Sequence, residues 1–112
     1  MTTDKELLEL AAKAAGYEPE QHIRTNHQEY LRVFNPEFGT GNNVFNPLYD
    51  DGDALRLAVK LQLNFNWEDF NTIDVWCSDT CKNATEEFTN DPYAATRRAI
   101  VRAAAHIGEG ME

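Results

Sequence analysis

Four arginines carry the most chemistry this sequence offers. Arg56, and then Arg97, Arg98 and Arg102, lie in two segments, residues 46–58 and 90–105, that each pass from an Asn, Pro and Asp loop into an alanine- and leucine- or isoleucine-rich helix pattern. Guanidinium groups hold phosphates and carboxylates bidentately, so with Asn46, Tyr49 and Tyr93 these arginines are candidates to line a pocket for a small anionic ligand such as a nucleotide phosphate. The plainer expectation for the same residues is a solvated helix face whose arginines pair with nearby acids.

Two other groups invite a chemical reading. Asp50, Asp51 and Asp53 have the ligand type for Ca²⁺ or Mg²⁺, but an EF-hand loop spreads its oxygens over twelve residues and ends in Glu, which nothing after Asp53 does. Their expected duty is to cap a helix start, where free amides and the helix dipole favour carboxylates. Cys77, Cys81, His22 and His27 make a zinc-type inventory without a zinc-type spacing, and neither cysteine has the flanking pattern of a nucleophile. Free thiols are expected, with no bound metal and no cofactor. Trp67, Phe70 and Trp76 either complete a core or form an exposed aromatic patch for a partner, and Phe70 is the one expected to be buried.

Composition narrows the function classes. The 112 residues suit one domain spanning 1–112, large enough to bury a core without disulfides. Nineteen Asp and Glu against ten Lys and Arg give a formal charge of −9, which opposes a phosphate backbone and argues against general nucleic-acid binding. No apolar run approaches the roughly 20 residues of a membrane span, and the N-terminal stretch lacks a signal peptide's apolar centre, so no membrane partner and a cytoplasmic location are expected.

The elements that must position these side chains are readable in outline. Thr3-Asp4-Lys5-Glu6 has capping-box spacing, and Leu7, Leu10, Ala11 and Ala14 recur on one helical face before Gly16, which predicts a helix over about 4–15. Residues 17–28 show no period and read as a loop, residues 29–34 alternate as a strand, and the Gly/Asn-rich stretch 38–43 reads as a loop tip. A second helix is expected over about 51–60 with Ala54, Leu55, Leu57, Ala58 and Leu61 as its buried stripe. Strands follow at about 61–66 and 73–78, joined as an antiparallel hairpin, with a weaker one at 82–88. Asp91-Pro92 starts a last helix, with Tyr93, Ile100, Ala103, Ala104 and Ile107 in one stripe, Arg98 and Arg102 nearly opposite, and Gly108 as its stop. The expected class is α+β: three helices packed on a small, largely antiparallel β-sheet in the order α-β-α-β-β-β-α.

On Asn46-Pro47-Leu48-Tyr49-Asp50-Asp51-Gly52-Asp53-Ala54-Leu55-Arg56, Asn90-Asp91-Pro92-Tyr93-Ala94-Ala95-Thr96-Arg97-Arg98 and the opening Leu7-Leu8-Glu9-Leu10-Ala11-Ala12-Lys13-Ala14-Ala15-Gly16, the chain resembles the phage ABA (α/β/α) sandwich domain family of small phage and prophage proteins. The resemblance implies a phage-encoded accessory protein of the host cytoplasm and carries no activity with it. The leading expectation is a non-enzymatic protein that binds a host component, either a host protein or a small nucleotide signal, and so counters host defence by sequestration; a homo-oligomer would complete a ligand pocket. An exposed aromatic patch would favour the protein partner, and a concave arginine-lined pocket the nucleotide. Two other expectations stand beside it: a small hydrolase or transferase acting on a phosphate-containing substrate, and an acidic mimic of DNA.

Overall fold

The structure, a computed structural model, describes residues 2–35, 40–68, 71–78, 83–87 and 91–111. Phe70, Cys81 and Asn90, named above, lie outside the described residues.

Each helix begins where its capping chemistry dictates. In α1 (Asp4–Ala15) the Thr3 hydroxyl accepts from the Glu6 amide at 3.2 Å and donates to the Glu6 carboxylate, and the helix ends at Gly16, whose φ of +81° suits a residue without Cβ. Helix α2 (Asp51–Lys60) is capped by Asp50, which accepts from the Asp53 amide at 2.9 Å. Helix α3 (Pro92–Glu109) is capped by Asp91, whose carboxylate takes the amides of Tyr93 and Ala94, with Pro92 at the first helical position where no donor is needed. Replacing Asp91 with alanine is expected to cost about 1 kcal/mol of stability, and asparagine to restore most of it. A urea midpoint in the alanine variant equal to that of the parent chain would refute this assignment.

Six strands form two antiparallel three-stranded sheets. The first has the order β1 (Glu18–Arg24), β2 (Glu29–Asn35), β3 (Thr40–Phe45), and the second β4 (Leu63–Glu68), β5 (Thr72–Cys77), β6 (Asn83–Glu87). The α+β class, the three helices and the antiparallel pairing are as expected, and the hairpin between β4 and β5 pairs Trp67 with Ile73 and Leu63 with Cys77. The strands instead divide into two sheets, and the segments read as loops contain β1 and β3. Both flank β2, so backbone pairing to a central strand holds them without an alternating apolar pattern. Pro19 is tolerated because β1 is an edge strand, with a register shift beside it. The chain thus runs through α-β-β-β twice and closes with α3.

The helices and sheets share one core. Helix α1 packs most extensively on α3; α1 also covers β1 and β2, while α3 covers β5 and β6. Leu8, Leu31, Val33, Leu57, Ile73, Val75 and Val101 are its largest enclosed side chains. Leu31 and Val33 alternate inward along β2, and Ile73, Val75 and Cys77 along β5, as period-two spacing requires.

Three expectations about the helices need correction. Tyr93 lies 70 % exposed, because α3 buries Ala99, Ile100, Val101 and Ala103–Ala105 on more than one side, against both α1 and the second sheet, only after its first two turns. Gly108 does not end α3, which runs on to Glu109; it lies where α3 meets the backbone of α1 at Leu10. Leu55, placed in the buried stripe of α2, is 60 % exposed.

Candidate functional site

The four arginines are bound to the protein's own carboxylates. Arg56 pairs with Asp53, three residues before it, and lies 3.6 Å from Asp50. The Asp53 hydrogen bond, followed by the charges of Asp53 and Asp50, raises the pKa of Arg56 above the usual arginine value. Arg97 donates from Nε to the Leu48 carbonyl at 2.9 Å and from Nη1 to Asp51 at 2.6 Å, and its side chain is only 15 % exposed. Arg98 reaches Asp4 at the start of α1 at 2.8 Å, and Arg102 bonds Glu86 and the Thr85 carbonyl of β6. Asp4 thereby brings a carboxylate and its partner to a helix N-terminus, where the dipole favours negative charge.

The other named ligand-pocket residues scatter. Asn46, 9 % exposed, donates from its backbone to Asp53 and from Nδ2 to Gln28, which ties the β1–β2 turn to the start of α2. Tyr49 is exposed beside that start, and Tyr93 stands on α3. Arg97 and Tyr93 therefore share a groove, whereas Arg98 and Arg102 reach toward α1 and β6. His22 is 3.0 Å from Glu29, Cys77 is buried near the Leu61 carbonyl, and among the described residues no three His, Cys, Asp or Glu side chains gather as metal ligands would. No helix among them is long and apolar enough to cross a membrane.

What the fold does assemble is an apolar surface around α2. Along β4, Leu63, Phe65 and Trp67 share the inner face of the second sheet; Leu63 is buried, Phe65 partly so, and Trp67 is 58 % exposed. The Phe65 and Trp67 rings stack at 6.1 Å with 17° between their planes. They floor a groove of about 540 Å³ walled by Ala54 and Leu55 of α2 and by Pro92, Tyr93, Thr96 and Ile100 of α3. The Asp51–Arg97 ion pair joins the two walls.

A second groove, of about 500 Å³, lies across α2, where Tyr17, Val33, Val44 and Phe45 face Leu55, Leu57 and Val59. Its floor is braced by the edge-on contact of Tyr17 with Phe45 at 5.7 Å and by Lys60 over the Tyr17 ring at 5.0 Å. Leu55 lines both grooves, and Val59, one turn on, is exposed as well.

Sequence reasoning weighed Trp67 for this role but missed Leu55, Val59 and Val44. A signal was present: α2 carries Ala54, Leu55, Leu57, Ala58 and Val59, too many apolar residues for one buried stripe, so the helix must present a second apolar face. No family model, no curated protein and no solved structure matches this sequence.

Proposed function

We propose that this protein is a non-enzymatic binding module that engages a partner protein through the apolar surface centred on α2. The observation carrying this reading is Leu55, an exposed leucine standing as the shared wall of two grooves. Single exposed apolar side chains are ordinary, whereas a run of Val44, Val59, Leu55, Trp67 and Tyr93 across adjoining grooves is the composition of a docking face. A small ligand would cover one groove and leave the ridge wet.

The resemblance to the phage ABA sandwich family supplies the setting: an accessory protein made in an infected cell, acting on a host protein and so on host defence. A nucleotide signal is less well supported, because Arg97, the arginine at the first groove, already holds Leu48 and Asp51, and the Asp51 carboxylate would repel a phosphate. The carboxylates of Asp4, Asp50, Asp51, Asp53, Glu86 and Asp91 serve arginines or helix amides, which also weakens the case for a DNA-like array of acids.

A photo-crosslinking benzoylphenylalanine placed at position 55 in host cells tests the reading. The expected result is an adduct heavier than the chain that disappears when Trp67→Ala is added and is absent with the crosslinker at exposed Gln21 on β1. Equal adducts at 21 and 55, or none at 55, would refute it.

A further inference from the structure

Resting on that docking reading and specifying its occupant, we infer that the groove between α2 and α3 receives an amphipathic helix of the partner, apolar where it is buried and bearing lysine or arginine along its flank. The second sheet is covered by α3 over β5 and β6 and met by α2 at β4, yet among the described residues Trp67, on its inner face, stays mostly exposed at the groove those two helices wall. A helix laid along the groove sets its apolar stripe on the Phe65–Trp67 floor and against the two walls, the arrangement of helix-in-groove recognition.

The wall sets the length. From Tyr93 to Ile100 the α3 side extends roughly 10 Å at the helical rise, so about two turns of occupant lie along the groove, and a helix on the order of 10–12 residues covers it with about a turn to spare.

Charge selects the partner. Around the groove and the starts of its two walls stand Asp50, Asp51, Asp53 and Asp91 against Arg56 and Arg97, on a chain whose formal charge is −9. A second copy would bring the same excess of acid against itself, which disfavours self-docking, while a basic flank is attracted to the net charge of the whole molecule. Because Arg97 is held by Leu48 and Asp51, it offers an incoming acidic helix no free guanidinium.

The test uses two probes of about twelve residues, leucine at i, i+3, i+4 and i+7, one with lysine and one with glutamate elsewhere. A Trp76→Phe background leaves Trp67 as the sole tryptophan, since the chain has two. The leucine–lysine probe is expected to shift Trp67 emission to the blue saturably, to gain helical circular dichroism on binding, and to lose about tenfold or more in affinity with Leu55→Asp. Comparable binding of the glutamate probe overturns the inference, as does binding indifferent to Leu55→Asp, a probe bound as a strand, or no binding. Concentration-dependent dimerisation that alone buries Trp67 overturns it in favour of a second copy. Adducts at position 55 would survive a failure of this kind, so the failure of the occupant and the failure of the docking face are separable.

Discussion

Gly108→Ala is expected to destabilise the protein by about 2–3 kcal/mol, although alanine in a helix interior ordinarily gains up to about 1 kcal/mol over glycine. A Cβ at this position would stand 2.1 Å from the Leu10 carbonyl oxygen and 2.8 Å from its carbon. Both are backbone atoms of α1, so no rotamer change relieves the clash; the two helices have to separate. Separation loosens the packing of α1 on α3, helices whose buried alanines, Ala11, Ala12 and Ala15 on the one and Ala103, Ala104 and Ala105 on the other, are small side chains that permit close packing. Urea unfolding should show a lower midpoint with an unchanged slope. A variant as stable as the parent chain, or more so, would mean that α1 and α3 do not approach as described.

The second large effect is a contrast within one helix. Leu57 is 1 % exposed and Leu55 60 %, two residues apart on α2. Leu57→Ala should cost about 3 kcal/mol, the transfer of a buried side chain plus the cavity it leaves, whereas Leu55→Ala should change stability by less than about 0.5 kcal/mol. Function should divide the opposite way: Leu55→Asp should fold with near-parental stability and lose partner binding by about tenfold or more, as truncation at the centre of an interface does. Equal destabilisation by the two alanine substitutions would show that Leu55 belongs to the core and remove the basis for a docking face.

The contrast also shows what the sequence could express. Caps were legible because they are local: Thr3 and Glu6, Asp50 and Asp53, and Asp91 with Tyr93 and Ala94 lie within three residues of each other. Strands β2, β4 and β5 were legible because one of their faces is buried and so alternates. Strands β1 and β3 were not, since β1 is largely exposed and β3 opens in Gly and Asn, so neither alternates, and the hydrogen bonds to β2 that hold them leave no mark on side-chain type. The arginines were found, but their partners were not. Arg98 and Asp4 lie 94 residues apart in the chain, and Arg97 and Asp51 46. Such pairing depends on how helices stack, which no local spacing records. Leu55 was misassigned for a related reason: an apolar residue on a helix with two apolar faces reads as core until a neighbour is known to cover it.

The bridge from Arg97 to Asp51 and the Leu48 carbonyl clasps the opposing banks of the first groove together. Its gauge is therefore fixed when the chain folds, so a visitor encounters a cradle already shaped. In the proposed docking, the freedom surrendered on association would fall mainly on the visitor rather than on the host, so less of the contact energy would go into ordering the groove.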